Sequence, residues 1–279
     1  ITPLTKSLQL DSMDDELKIG LWNVFSSALL SNFEGYREEE PRGRFCTLLW
    51  HNFFKWQIET IPEGFFALRE GLNNWFVHKQ IGWDKIYDFL EITSNICATD
   101  FDYVDVDAFY NASNNVLERE FSAYRFINGI LSPISNESEK SEIESALNKT
   151  SYLTALNGCN VHLTQSLKLL SDKTNPDYRN SIKESISAVE SVAKVISGNK
   201  KDELGTALAI LKDKANLNGG LIAGFKSIYG WTSNSDGIRH GLMDESNCDF
   251  DDAKYMLVSC SAFINYLISK SQKTGILIS

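Results

Sequence analysis

Between Asn175 and Gly198, apolar residues return every three or four positions, at Tyr178, Ile182, Ile186, Val189, Ala193 and Ile196. That spacing follows the 3.6-residue period of an α-helix and draws one stripe along it. Asn175 reads as the N-cap, Pro176 as a first-turn residue and Gly198 as the stop. Such a helix gains most of its stability by burying its stripe, so neighbouring segments must supply partners. Helical patterns near 162–170, 203–212 and 221–228 answer that need, as does a final helix from Asp251 or Asp252 to about Ser269. The last is apolar nearly all round, which places it centrally in a bundle or in a subunit interface. Residues 136–279 are therefore expected to form a bundle of four to six helices.

The polar stretch from Ser132 to Ser141, with Pro133 and few bulky side chains, marks a domain boundary. Before it, residues 1–135 read as a helical domain rich in aromatic anchors. Ser12 followed by Asp14, Asp15 and Glu16 is expected to cap a helix through Leu17, Leu21, Trp22, Phe25 and Leu29. A charged loop over Glu38 to Arg44 separates it from a helix over 45–56, and Trp83, Ile86, Tyr87 and Leu90 suggest a third. Asn128 and Gly129, flanked by β-prone residues, predict a small hairpin near 124–131, because this pair tolerates a type I′ turn. The fold class expected is mainly α, with one hairpin in the first domain.

A chain of 279 residues with 43% hydrophobic and 23% charged residues is globular and long enough for two domains. Its net charge of −10 opposes chain-wide attraction to phosphate backbones or anionic membranes. The charge is uneven: residues 1–131 hold 11 basic and 20 acidic residues, and residues 132–279 hold 16 and 17. A nucleic-acid site is thus expected only locally, in the second half. Five widely spaced cysteines without a CxxC pair, beside only four histidines, imply a reduced, cytoplasmic protein with no structural zinc and no cofactor. The stretch 255–268, broken by Ser259, Ser261 and Asn265, falls short of the ~20 apolar residues of a membrane span. Neither a membrane span nor a leader is expected.

Several residues are candidates for chemistry. Gly237 and Gly241 bracket Arg239 and His240, and glycines on both sides permit a tight turn in which a fixed cation and an imidazole converge. A guanidinium holds phosphate and an imidazole moves protons near neutral pH. A salt-bridged Arg239 and a packed His240 would account for the pair equally well. Asp244 either orients His240 or begins the acidic cap of the last helix. Residues 100–107 alternate acids with apolar groups, but lack the glycine and terminal glutamate of an EF-hand, so a loop capping the next helix is expected there. Arg44 and His51 have six residues between them and return to nearly one helical face. His78 and His162 read as packing or surface residues. Glu184 and Glu190, six apart, do not share a face, and Glu190 next to the core stripe would need a partner such as Arg239.

Four ordered blocks carry a resemblance: His162-Leu163, the run from Pro176 to Glu190, Leu204 to Leu208, and Tyr229-Gly230 with Gly237 to Gly241. Together they resemble the HEPN domain of AbiJ-type abortive-infection proteins. The first half is similar to the domain that accompanies it, through Leu21-Trp22-Asn23, Trp83 with Tyr87 to Glu91, and Tyr124 to Ile134. The resemblance implies a helical bundle that dimerises and, in many members, a metal-independent endoribonuclease of phage defence. In that mechanism a 2′-hydroxyl attacks the adjacent phosphodiester, a histidine serves as acid or base, and an arginine steadies the phosphorus. Arg239 and His240 take those roles here, with Glu190 and Asp244 in support. The usual distal histidine, after four to six intervening positions, is replaced by Asp244, Glu245 and Ser246. Three readings stay open: a ribonuclease effector, a non-catalytic module binding RNA, nucleotide or a protein, and an interaction protein. In the first, the implied partners are RNA, a second copy of the chain, and a phage or host protein trigger at the first domain. In the third, the aromatic first half recognises a phage protein.

Overall fold

Asp14, within the segment expected to cap the first helix, starts it by accepting the Leu17 amide at 2.8 Å, and Asp15 and Glu16 form its acidic first turn. A computed structural model describes residues 6–35, 39–198, 204–214, 217–234, 248–273 and 275. Its contacts divide the chain into two compact units, Ile1–Ser135 and Asn136–Ser279. Among the described residues the fold is mainly α, and its one sheet is a two-stranded hairpin. None of the described helices is long and apolar enough to cross a membrane.

The first unit contains α1 (Asp15–Val24), α2 (Glu39–Leu49), α3 (Phe65–Phe76), α4 (Trp83–Asp100) and α5 (Val106–Arg119). The segment 38–44 is not wholly a loop, since α2 begins at Glu39; Pro41 in its first turn removes an amide that has no helical partner there. Two single π turns, Phe25–Leu29 after α1 and Trp50–Phe54 after α2, add a residue to the local period. They explain the irregular aromatic spacing of this half. Lys55, at φ 57°, ends the second of them. Leu17, Leu21, Phe25, Leu29, Phe45, Leu72, Phe76, Phe89 and Phe109 are fully or almost fully buried in one core. At Gly20 a Cβ would sit 2.7 Å from Val116 Cγ1, so α1 and α5 approach where only a glycine fits.

The hairpin pairs β1 (Arg125–Ile127) with β2 (Ile130–Ser132) through Asn128 and Gly129, at φ 49° and 79°, as a primed turn requires. Its outer backbone groups find side-chain partners. The Asn114 amide exchanges two hydrogen bonds with Phe126, at 2.7 and 3.0 Å, and Glu91 accepts the Leu131 amide at 2.7 Å. Of residues 100–107, only 101–105 form the turn between α4 and α5, where Asp105 caps α5 by accepting the Ala108 amide.

Lys6 ties the start of this unit to its end. Its ammonium lies 2.8 Å from Asp14, 3.0 Å from Glu16 and 2.6 Å from Glu120. Although burial opposes it, the hydrogen bonds that its ammonium donates to these carboxylates hold Lys6 above the usual lysine range. Burial also opposes the shift at Asp14, yet Lys6 and the Leu17 amide hold its carboxyl down; Lys6 and Arg119 do the same at Glu120. Depressed carboxyls stabilise the fold above their unfolded pKa of about 4, and that contribution is lost as pH falls through the lower folded values. Lys6→Met is therefore expected to cost about 1 to 2 kcal/mol at pH 7, discounted for the partial exposure of Asp14. Urea midpoints measured from pH 7 to pH 3 should show a smaller acid loss in the variant than in the parent.

In the second unit, Asn136 caps α6 (Glu137–Ser151) by accepting the Ser138 and Glu139 amides, so the polar stretch predicted as a boundary contains a helix start. Then follow α7 (Asn157–Ser171), α8 (Tyr178–Ser197), α9 (Leu204–Lys214), α10 (Gly219–Asn234) and α11 (Phe250–Lys273). The central helix α8 packs on α7, α9 and α11, while α6 lies against α11 and α7. Ile182, Ile186, Val189, Ala193 and Ile196 are buried as the stripe predicts, and Gly198 closes α8 at φ 80°. The N-cap is Asp177, accepting the Asn180 amide at 3.0 Å, and not Asn175. Pro176 disfavours helical backbone at the residue before it, which delays the helix start. Asp249 caps α11 by accepting the Asp252 amide at 3.0 Å, while the Asp252 carboxylate accepts the Asp249 amide at 3.3 Å. This reciprocal pair corrects the expected cap at Asp251 or Asp252. Asn265 of α11 joins α6 through Glu142, Ser145 and Lys149, so the buried face of this nearly apolar helix includes a satisfied polar cluster.

Candidate functional site

Three of the residues singled out in the sequence, Arg239, His240 and Asp244, lie outside the described residues. Glu190 is described, and its surroundings follow from how α8 is packed. Positions 181, 185 and 188 of α8 are Ser, Ser and Ala, all fully buried. Small side chains let α7 approach closely, and Ser166 of α7 bonds the Ser185 hydroxyl at 2.7 Å and the Ser181 carbonyl at 2.8 Å. The same close approach at the start of α7 leaves an added Gly158 Cβ only 3.1 Å from Ser191 Oγ. The orientation of α8 fixed by this seam turns Glu184 and Glu190 to the flanks of the stripe.

On one flank, Glu190 accepts a hydrogen bond from the Tyr229 hydroxyl of α10 at 3.2 Å, and Lys194, one turn on, lies 3.8 Å away. The Glu190 side chain is only 16% exposed. Tyr229 and Lys194 are thus two of its partners, while Arg239, the partner expected from the sequence, lies outside the described residues. Tyr229 belongs to the helix that runs through Asn234 toward the Arg239-His240 segment. A carboxylate on the bundle's central helix is in this way bonded to the helix that precedes the Arg239-His240 segment in sequence.

Glu184 lies 2.6 Å from Nδ1 of His162 on α7, a pair that sequence reading missed when it assigned His162 to packing or the surface. An ionised carboxylate only accepts, so Nδ1 is the donor of this pair. The two residues stand 22 positions apart on different helices, and no local periodicity connects them. The only signal is that both fall within the blocks that carry the family resemblance. With His162 38% exposed, Glu184→Gln is expected to cost less than about 1 kcal/mol, measured as a shift in the urea midpoint.

The remaining candidates are held by other partners. Arg44 pairs with Asp100, His51 Nδ1 contacts the Asn52 side chain at 3.1 Å, and His78 Nδ1 accepts the Gln80 amide at 3.3 Å. The cysteines are separate thiols. Burial pushes Cys46 and Cys97 up to about 12, and Cys159 and Cys260 higher still, so all four are protonated at neutral pH and poor nucleophiles. Among the described residues no cluster of three His, Cys, Asp or Glu side chains is arranged to hold a metal ion.

Comparison with curated proteins and with solved structures found no match to either. A family model described as AbiJ N-terminal domain 4 matches residues 1–149, which span the first unit and nearly all of α6. With more than half of its residues covered by that match, the chain belongs to the AbiJ N-terminal domain 4 family of AbiJ-type abortive-infection proteins.

Proposed function

We propose that the protein is a phage-defence effector whose second unit is a HEPN-like, metal-independent endoribonuclease, working as a homodimer with Arg239 and His240 at its centre. The 2′-hydroxyl of RNA attacks the adjacent phosphorus, the P–O5′ bond breaks, and the products are a 2′,3′-cyclic phosphate and a 5′-hydroxyl. One His240 takes the 2′-hydroxyl proton, its counterpart from the second copy gives a proton to the departing O5′, and Arg239 neutralises charge growing on the phosphoryl oxygens.

The observation that carries this reading is the Glu190–Tyr229 hydrogen bond, which couples the central helix to α10 ten positions before Arg239. A catalytic turn needs that kind of support to keep its cation in place. The near balance of charge in residues 132–279 favours RNA at this unit over the acidic first unit, which serves to sense the trigger. A second reading, a non-catalytic HEPN-like module, rests on Asp244, Glu245 and Ser246 standing where the distal histidine is usual. Expression of the parent, Arg239→Ala and His240→Ala chains in host cells separates the two. The nuclease reading expects growth arrest and RNA breakage from the parent alone; equal arrest and breakage from all three would overturn it. Tight RNA binding without cleavage, lost in Arg239→Ala, would favour the module.

A further inference from the structure

Beside the π turn that ends α2 there is an open cavity of about 530 Å³ in the first unit. Trp50, Phe54, Trp56 and Trp75 form its aromatic walls, with Leu72 and Pro62 completing the apolar lining. The walls brace one another: Phe54 stacks on Trp56 at 4.3 Å between ring centres and 12° between planes, and Trp75 meets Phe54 edge-on at 5.1 Å. Trp50 is held by its indole N–H, which donates to Thr60 Oγ1 at 3.0 Å. Trp56 is nonetheless 48% exposed. What sets Trp56 apart from the other exposed apolar side chains of this unit is its place in a preformed concave wall of four aromatic rings, and that arrangement points to a ligand.

The polar groups at the cavity narrow the chemistry. Lys55, Gln57 and Thr60 line it, and Lys55 is its only charged lining residue. Lys55 takes part in no ion pair with the described residues, and it sits in the left-handed region at φ 57° because the π turn ends there. π turns and non-glycine residues in that region collect at functional sites. A cationic ligand, which aromatic walls would otherwise suit, is opposed by the Lys55 ammonium. An aliphatic ligand would leave the ammonium and the Gln57 amide unused. A flat heteroaromatic ring with an attached anion uses all of them, by stacking on the indoles, bonding along its edge to Gln57 and placing its charge at Lys55. The size suits one base with its sugar and phosphate, and the −9 charge of residues 1–131 opposes a polyanionic strand.

We propose that this cavity is a binding site for a nucleoside monophosphate, with the base against Trp56 and Trp75 and the phosphate at Lys55. It is independent of the Arg239-His240 segment and goes beyond the ribonuclease reading.

Titrations of the full-length chain with AMP, GMP, CMP and UMP, their nucleosides, and inorganic phosphate, read by tryptophan fluorescence and calorimetry, test it. At least one monophosphate is expected to bind saturably, its nucleoside about tenfold more weakly, and phosphate alone not at all. Lys55→Met should reduce the monophosphate to the affinity of its nucleoside. Gly71 lines the cavity from α3, and a Cβ added there meets only Pro62 Cγ, at an ordinary 3.7 Å. Gly71→Leu should therefore fill the cavity and abolish binding while the chain stays folded, and Trp56→Ala, which removes an exposed ring, should weaken binding at least tenfold. No saturable binding by any monophosphate, equal binding of phosphate alone, or binding that survives both Gly71→Leu and Trp56→Ala would overturn the proposal.

Discussion

Phe89→Ala is expected to destabilise the first unit by about 4 kcal/mol, enough to move its urea midpoint by more than 1 M. Phe89 is fully buried on α4, and its ring meets Phe25 at 4.9 Å, Trp75 at 5.1 Å, Phe53 at 5.6 Å and Phe76 at 5.7 Å. These neighbours come from α3 and from both π turns, so truncation removes the ring on which separate segments converge. The wall residues are themselves rigid aromatics held by other contacts, which limits how far the cavity can collapse. Loss of the paired-ring geometry adds about 0.5 to 1.5 kcal/mol per strong pair to the burial term. Phe66→Ala supplies the contrast: that ring is 75% exposed, and its removal should cost less than about 0.5 kcal/mol. Denaturation followed by tryptophan fluorescence measures both, since Trp22 and Trp75 report on this core. A Phe89→Ala loss below about 1.5 kcal/mol would show that the aromatic cluster is not the organising core of the unit.

Arg239→Ala should lower RNA cleavage at least about 100-fold, equivalent to roughly 3 kcal/mol of transition-state stabilisation. A fixed guanidinium beside phosphorus is worth most when charge grows on the phosphoryl oxygens, so the loss should fall on the rate of single-turnover cleavage more than on RNA affinity. Arg239→Lys should recover only part of the rate, because a point charge cannot replace the planar fork. Thermal midpoints of the three chains should agree within about 2 °C, which separates the catalytic effect from a folding effect. A substitution that weakens binding and leaves the single-turnover rate unchanged would assign Arg239 to holding RNA, as in the non-catalytic module.

Where local chemistry decides local structure, the residues alone were sufficient. The Ile182 to Ile196 stripe is a buried face because its period and its helix agree, and Asn128-Gly129 turns because few other pairs accept two positive φ angles. Where tertiary contacts decide, they were not. The first turn of helix α6 falls in the stretch 132–141 that reads as a boundary; its Asn136 cap and Lys140 ion pairs support the helix, and the Asn265 cluster from a helix more than 100 residues away makes it a bundle member. The π turns at Phe25–Leu29 and Trp50–Phe54 break the 3.6 period that pattern reading relies on, which also hid the aromatic cavity beside the second one. Of the candidate site, Glu190 was legible as a near-core carboxylate in need of a partner. Its hydrogen bond from Tyr229, and the pairing of Glu184 with His162, required α7, α8 and α10 to be placed side by side.

The central claim, that Arg239 and His240 carry out metal-free RNA cleavage, is met most directly by incubating the purified full-length chain with RNA in excess EDTA and identifying the new ends. The account predicts cleavage with 2′,3′-cyclic phosphate and 5′-hydroxyl ends, absent from Arg239→Ala and His240→Ala. Cleavage that EDTA abolishes, or that leaves 5′-phosphate ends, or that persists in both variants, would contradict it.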